Sequence, residues 1–355
     1  MGVVQYVYTN ATNIAKKEVS KRTRATYSKP TQIAIMLIDY CNARCLMCDN
    51  WKNKKIYLKK ETLLQALDDL KDWIGDGFVV NFSGGEPLIY PGIYDVFRHC
   101  ADRGVVAKIS TNGINLTPKI CDKVIASGLK YLTISIDSHR PEVHDKFRGT
   151  PGLWEKNVAA LAYLREHGDM TLGVSSVVMK PNGSELKEMA DFFLGLDIDR
   201  WLLQSIEPID VKFKDWKSYD YWVDDLEKLG EGIEYIKELK SEDPRIMNTR
   251  DDLDLIRDYF ADPSVVINSE PCFLGLDRMN IQANGDVDLC FKYPPIGNLY
   301  KERVRDIWDG EQARKIREAM KRCKMPCLLN CNKELSLGEK FKKFRQLYRS
   351  GLFNK

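Results

Sequence analysis

A chain of 355 residues, 44% hydrophobic and 30% charged, has the composition of a folded globular protein and is long enough for one large domain plus a smaller one. Its 54 Lys and Arg residues nearly balance its 51 Asp and Glu residues, so charge gives no reason to expect a nucleic-acid partner. Neither a bilayer-spanning run nor a secretion signal is visible, so we expect a cytoplasmic location, no membrane role, and cysteines that ligate metal rather than form disulfides.

Apolar runs and amphipathic stretches alternate through residues 31–211, after a polar, basic N-terminal arm at residues 1–30. We predict helices between six strands, at 33–38, 78–82, 105–109, 132–136, 171–178 and 201–205. Repeated β-then-α units favour an α/β fold with parallel strands and right-handed crossovers. Ligands of such folds lie beyond the carboxyl ends of the strands.

The pattern changes in the last third of the chain. Residues 212–265 predict a helical linker region, in which the aromatic side chains at 216, 219, 221 and 222 favour packing over a substrate pocket. Residues 266–335 predict a small cysteine-rich α+β domain, a β-hairpin followed by a helix. Residues 336–355 predict a C-terminal helix whose apolar stripe favours docking on the barrel over a membrane or a lipid-linked substrate.

Three cysteines, Cys41, Cys45 and Cys48, directly follow the first predicted strand. Thiolates spaced this closely suit an iron–sulfur cluster, and because four would close a [4Fe–4S] cube, three leave one iron open to a substrate or cofactor. The alternatives are a structural zinc site or buried free cysteines. Zinc prefers four ligands, and no fourth Cys or His lies close in sequence.

The order of motifs along the chain resembles the radical S-adenosylmethionine (SAM) superfamily. The cysteines are followed by Gly-Gly-Glu-Pro at 84–87, Ser-Thr-Asn-Gly at 110–113 and Ser-Ile-Asp at 135–137, each after a predicted strand. The resemblance implies a partial (β/α)6 TIM-like barrel in which the three cysteines hold a [4Fe–4S] cluster and SAM chelates its free iron. An electron donor such as flavodoxin or ferredoxin would reduce the cluster, and the resulting 5′-deoxyadenosyl radical would abstract a hydrogen atom.

The same resemblance assigns the SAM contacts. Residues 84–86 would meet the methionyl amine, although a plain strand-to-helix turn also explains the glycines. Arg148 could pair with the carboxylate of SAM or be a solvated surface charge. Met47 stands where the family usually has an aromatic residue, which puts an adenine contact there in doubt. The candidate SAM-binding residues are Gly84, Gly85, Glu86, Ser110, Thr111, Asn112, Ser135, Asp137 and Arg148.

A second cysteine group resembles the C-terminal SPASM and twitch extensions of radical SAM enzymes. Its members are Cys272, Cys290, Cys323, Cys327 and Cys331. Five cysteines cannot fully ligate two clusters, so we expect one auxiliary [4Fe–4S] cluster, with a zinc knob as the alternative. One thiol would then be spare. Cys323 or Cys327 is our candidate for the spare thiol and for a possible hydrogen-atom donor; no other catalytic residue is assigned.

The expected function is oxidation or epimerisation of a carbohydrate-type small molecule. Modification of a ribosomally made peptide is the close alternative. A non-enzymatic iron–sulfur protein is a weaker one, because such a protein has no use for the motifs that hold SAM.

Overall fold

The computed structural model describes residues 3–23, 25–208, 212–267 and 271–327. The predictions for Cys331 and for the C-terminal helix at 336–355 lie outside the described residues. Within the described ranges, no helix has both the length and the apolar character needed to cross a membrane.

In the described part of the chain, nine strands form one sheet, in the order β6-β5-β4-β3-β2-β1-β7-β8-β9. The pairings from β6 through to β7 are all parallel, and β8 and β9 are added antiparallel. No pairing among the described strands joins β6 to β9, so the sheet is not closed. Strands β1–β6 form the predicted partial barrel, and β7 adds a seventh parallel strand beside β1. The strands are β1 Gln32–Ile38, β2 Val79–Gly84, β3 Val106–Thr111, β4 Tyr131–Ser135, β5 Thr171–Val178, β6 Arg200–Ser205, β7 Arg278–Ile281, β8 Asp286–Asp288 and β9 Gly297–Asn298.

Helices cover this sheet, and their apolar side chains pack with those of the strands to form the core. The strand side chains alternate into the core, as Ile33, Ile35 and Leu37 show at 1% exposure or less. The helices are α1 Val3–Arg22, α2 Lys60–Ile74, α3 Ile93–Asp102, α4 Pro118–Ala126, α5 Pro141–Arg148, α6 Leu153–His167, α7 Lys180–Gly183, α8 Leu186–Gly195, α9 Leu226–Glu242, α10 Arg250–Ala261, α11 Val304–Asp309 and α12 Glu311–Met320.

The segment predicted as a helical linker is packed against the barrel. A Cβ on Gly232 of α9 would lie 2.6 Å from the Cβ of Leu186 in α8, so these two helices are in close contact. The Oη of Tyr259 in α10 donates to the carbonyl of Ile206 at 2.8 Å. Trp216 and Trp222 are buried against Tyr259, which agrees with the packing role predicted for the aromatic residues here.

The predicted hairpin joins the barrel sheet directly. β7 pairs in parallel with β1, with Gln32 opposite Arg278 and Ile35 opposite Ile281. The hairpin therefore extends the sheet on the side of the strand that precedes the cysteine loop. This pairing fixes the C-terminal cysteine group relative to the first one.

Candidate functional site

The cysteine loop begins where β1 ends and is anchored to a neighbouring helix. Cys45 is buried, while Cys41 and Cys48 are partly exposed. The N–H of Leu46 donates to the carbonyl of Phe147 at 2.9 Å, which ties the loop to the end of α5. The N–H of Cys48 donates to the carbonyl of Cys45 at 3.3 Å. The three thiols thus share one short, anchored loop at the carboxyl end of a central strand.

Gly84 and Gly85 are needed because the turn after β2 packs directly on this loop. A Cβ on Gly85 would lie 1.9 Å from the carbonyl oxygen of Tyr40, and one on Gly84 would lie 2.4 Å from that of Ile38. Gly84 also has a φ of 126°, which disfavours other residues. The glycines therefore bring the second motif into contact with the first, and their contact with SAM stays a prediction.

Glu86 joins the ends of β2 and β3. Its carboxylate is buried and accepts hydrogen bonds from the Oγ1 of Thr111 at 2.6 Å, the N–H of Asn112 at 2.8 Å and the N–H of Leu88 at 3.0 Å. Burial raises the pKa of Glu86, and these hydrogen bonds oppose the rise. The carboxylate of Glu86 therefore links the second motif to the third.

Asn112 reaches from the third motif to the cysteine loop. Its Nδ2 donates to the Oδ1 of Asn42 at 2.9 Å and approaches the Sγ of Cys41 at 3.5 Å. The N–H of Ala43 donates to the same sulfur at 3.4 Å. Burial raises the pKa of the Cys41 thiol, whereas both donors favour the thiolate. The two donors therefore offset only part of the cost of burying negative charge on this sulfur, and the pKa of Cys41 stays raised.

Asn157, in α6, hydrogen-bonds to the backbone of the third and fourth motifs. Its role in the site was not predicted from the sequence. Its buried Nδ2 donates to the carbonyls of Asn112 at 3.1 Å and Ser135 at 3.3 Å. A Cβ on Gly113 would lie 1.9 Å from its Oδ1, so only glycine fits there. An Asn within an amphipathic helix gives no sequence signal of this role. The side chain of Ser110 is exposed and that of Ser135 is half-buried.

Asp137 is the centre of a second buried network. Arg148 holds its carboxylate with two hydrogen bonds, Nε to Oδ2 at 2.6 Å and Nη2 to Oδ1 at 2.9 Å. The N–H of Val177 also donates to Oδ1, at 3.0 Å, and the N–H of Asp137 donates to the Nδ1 of His144 at 3.1 Å. Burial lowers the pKa of His144 to about 4, so its ring is neutral at pH 7.

Arg148 is not the solvated surface charge offered as one alternative, since only 9% of it is exposed. Its fork engages Asp137, and its charge also acts on the cysteine loop. Burial raises the pKa of Cys45 to about 11, and the nearby guanidinium opposes the rise. Pairing of Arg148 with the carboxylate of SAM stays a prediction.

Four cysteines of the C-terminal group line one small cavity. Cys272 and Cys290 come from the start and end of the hairpin region, and Cys323 and Cys327 follow α12. Tyr293 and Met320 also line the cavity. Burial raises the pKa of Cys272, and that of Cys290 to about 11. The structure brings together both candidates for the spare thiol with the two hairpin cysteines.

The donors in both places are groups of thiols, which are the usual ligands of iron–sulfur clusters. Among the described residues, no group of three His, Cys, Asp or Glu side chains is close enough to hold one metal ion. A four-iron cube bonds each thiolate to a different iron, so its ligands stand farther apart than those of one ion. Binding would require the thiols to lose their protons. Burial opposes this loss at four of them, because it raises the pKa of Cys41, Cys45, Cys272 and Cys290.

Both cysteine groups lie within regions that match known protein families. Residues 35–193 match the radical SAM superfamily, and residues 272–332 match the SPASM iron–sulfur cluster-binding domain. The first match contains the cysteine loop and all nine candidate SAM-binding residues. The second contains all five C-terminal cysteines.

Three relatives illustrate the range of similar proteins. The chain is 26% identical over 306 residues to an AdoMet-dependent heme synthase of Methanosarcina barkeri, covering 83% of this chain and 86% of that protein. It is 23% identical over 312 residues to a PqqA peptide cyclase of Bradyrhizobium diazoefficiens, covering 83% and 77%. The structure of Streptococcus suis SuiB bound to its precursor peptide SuiA has a similar fold, with 19% identity, a TM-score of 0.63 and coverage of 86% and 71%.

Proposed function

We propose that this chain, which carries a radical SAM domain followed by a SPASM iron–sulfur cluster-binding domain, is an enzyme that removes a hydrogen atom from a ribosomally made peptide. The modified peptide would be oxidised, cross-linked or epimerised. The two domains imply [4Fe–4S] clusters and SAM as cofactors. The observation that carries the proposal is the match to a peptide cyclase over 312 residues, 83% of this chain. The carbohydrate-type substrate expected from sequence gains no support from the relatives, so the peptide replaces it.

The cysteine loop would hold the SAM-binding cluster through Cys41, Cys45 and Cys48. When bound, this cluster and SAM supply the radical chemistry that removes a hydrogen atom from the substrate. The chain itself positions the ligands: Asn112 donates toward the Cys41 sulfur, and the end of α5 fixes the loop through Phe147. Because these supports are buried, the loop is ordered by the protein before any ligand binds.

The auxiliary cluster would be held by Cys272, Cys290, Cys323 and Cys327. Their common cavity supports this assignment, because four thiols complete the ligand set of one cube. In this proposal neither Cys323 nor Cys327 is the spare thiol. In an oxidative reaction this cluster would accept one electron from the substrate radical.

The cluster assignment is tested by counting iron. Reconstituted wild-type protein should hold about eight irons per chain, and the triple variant C41A/C45A/C48A should hold about four and release no 5′-deoxyadenosine from SAM. The pair C272A/C290A should also hold about four irons but still cleave SAM. Cys100 and Cys121 are buried elsewhere in the core, so C100A and C121A are matched controls with full iron. SAM cleavage by the triple variant would refute the assignment.

The substrate class is tested by product mass. Short peptides encoded beside the gene should be incubated anaerobically with the reconstituted enzyme, SAM and dithionite. Loss of two mass units indicates oxidation or cross-linking, and uptake of one solvent deuteron at otherwise unchanged mass indicates epimerisation. Transfer of a methyl group from SAM to the product would contradict both outcomes.

Heme synthesis is the second candidate function, because the match to the Methanosarcina barkeri heme synthase covers 86% of that protein. A heme precursor would then replace the peptide as substrate. One assay separates the two candidate functions, because only heme synthesis predicts a new visible absorption spectrum from a porphyrin substrate. Mass changes in a peptide with no spectral change would favour the first candidate.

A further inference from the structure

The cysteine loop and the segment directly after it carry a high density of positive charge. Residues 41–60 contain six Lys and Arg residues and one Asp, a formal net charge of +5. Residues 11–30 of the N-terminal arm carry the same net charge, so the segment at 41–60 is distinguished by its position beside the thiols. Five of the six basic residues lie within residues 50–60. We name these residues the basic arm, which is separate from the N-terminal arm at residues 1–30. Its exposed lysines are Lys52, Lys54, Lys55 and Lys59.

The basic arm is held rigidly against the barrel. The N–H of Asp39 donates to the carbonyl of Ile56 at 3.1 Å, and the N–H of Leu58 donates to the carbonyl of Leu37 at 3.1 Å. These two bonds extend β1 with an antiparallel partner. At the end of the arm the Oη of Tyr90 donates to the carbonyl of Leu58 at 2.5 Å. An ordered surface loses little conformational entropy when a partner binds.

Internal ion pairs engage two of the five basic residues of the arm, Lys52 with Asp49 and Lys60 with Asp95. Lys52 lies 2.6 Å from Asp49, with both side chains about half exposed. Such exposed pairs are worth about 0–1 kcal/mol and exchange readily with a partner's carboxylates. Lys55 lies over the ring of Tyr40 at 4.7 Å, which leaves its charge intact. Among the described residues, Lys54 has no carboxylate partner.

Apolar side chains lie among these charges. Ile56 is 41% exposed and Tyr57 is 37% exposed, and Leu46 in the neighbouring cysteine loop is 44% exposed. A small apolar centre with a charged rim is typical of a transient protein interface, and electron-transfer complexes are among the smallest of these. The arm begins two residues after Cys48, so a protein bound here is adjacent to the thiols.

We propose that the basic arm is the docking surface for an acidic one-electron carrier protein. The carrier gives one electron to the cluster held by Cys41, Cys45 and Cys48 and is itself oxidised by one electron. The inference rests on the proposed function only for the presence of that cluster. A positive surface beside the electron's destination steers an acidic carrier and orients it productively.

The test compares two reductants on one set of variants. The triple variant K52E/K54E/K55E reverses the charge of the arm, and K130E/K228E/K315E makes the same change at exposed lysines elsewhere. With a reduced acidic flavodoxin at low salt, the arm variant should form 5′-deoxyadenosine about tenfold more slowly than wild type. With dithionite, which needs no protein docking surface, all three proteins should react within twofold of each other.

Binding gives a second readout that needs no cluster. Oxidised flavodoxin titrated into the cluster-free protein should bind wild type and the control variant alike, and bind the arm variant at least about tenfold more weakly. Added salt should weaken wild-type binding, because the Debye length falls to about 8 Å at 0.15 M.

Several results would overturn the inference. Equal losses with flavodoxin and dithionite would make the arm a structural support of the cysteine loop. Full flavodoxin-driven activity in the arm variant would place the carrier elsewhere. A raised KM for the peptide with unchanged flavodoxin kinetics would assign the surface to the substrate. If wild type cleaves no SAM with dithionite, the proposed function fails, and the flavodoxin titration still decides whether the arm binds the carrier.

Discussion

Replacing Arg148 by Met should destabilise the protein through the charge that it leaves behind. Asp137 is fully buried and keeps only the hydrogen bond from the N–H of Val177 when the two from Arg148 are lost. Removing one member of a buried ion pair costs about 3–5 kcal/mol, because the remaining charge is desolvated without compensation. We therefore expect the free energy of unfolding of R148M to fall by about 3–5 kcal/mol.

The partner substitutions separate the charge from the shape of the side chains. D137N leaves a buried guanidinium and should cost a similar amount, whereas D137N/R148M removes both charges and should cost much less than the sum of the single variants. That difference is the coupling free energy of the pair. Urea unfolding of the reduced, cluster-free protein, followed by tryptophan fluorescence and circular dichroism, measures all four proteins without any contribution from bound metal.

The reasoning fails if R148M loses less than about 1 kcal/mol, the range of an exposed pair. In that case Arg148 would be free to bind the carboxylate of SAM, as the family resemblance implies. Equilibrium dialysis of SAM with reconstituted R148M distinguishes the two roles. A large rise in the Kd for SAM at nearly unchanged stability would favour the SAM contact. A large loss of stability in the cluster-free protein would favour the internal pair.

Two further predictions follow from the same region. G85A should lower both iron content and Tm, because its Cβ would lie 1.9 Å from the carbonyl oxygen of Tyr40 and force the cysteine loop to move. The control G230A, in α9 with no atom within 4 Å of the new Cβ, should leave iron content unchanged and alter stability by less than about 1 kcal/mol; equal effects of the two would contradict this account. Acidification should protonate His144 more readily in the unfolded chain, where its pKa is near 6.5, than in the folded protein, where it is about 4. Its contribution to stability is therefore complete above pH 6.5 and is lost as pH falls toward 4, by about 2 kcal/mol at pH 5. Urea unfolding at pH 7.5 and pH 5 should show a smaller pH dependence in H144N, and an unchanged dependence would assign the titration to other groups.

The parallel strands could be predicted from sequence because each contains a short apolar run whose buried residues alternate along the strand. Each predicted run falls within a residue or two of an observed strand. The pairing of β7 with β1 could not be predicted, since it joins residues 246 positions apart and leaves no local periodicity. The hairpin itself was visible because its turn residues are adjacent in sequence.

Helix α5 was missed for a physical reason. Its sequence, Pro-Glu-Val-His-Asp-Lys-Phe-Arg, reads as a charged loop, yet His144, Phe147 and Arg148 are buried. They share one face of the helix by the i, i+3, i+4 rule, but two of the three are polar. A search for apolar periodicity therefore misses the face of α5 that packs against the site. The helix is buried because Asp137 supplies partners for both polar side chains.

The polar residues of the motifs also show what sequence patterns leave undecided. Polar groups at the carboxyl ends of parallel strands are expected to converge, and they do, but a motif does not state whether a side chain faces a ligand or a neighbouring motif. Here the carboxylates of Glu86 and Asp137 accept hydrogen bonds from other groups of the protein, and Asn112 donates toward a cysteine sulfur. A ligand-binding loop without regular structure needs such supports, because its backbone has few partners of its own. The side chains that resemble cofactor contacts therefore also build the surface on which the cofactors would bind.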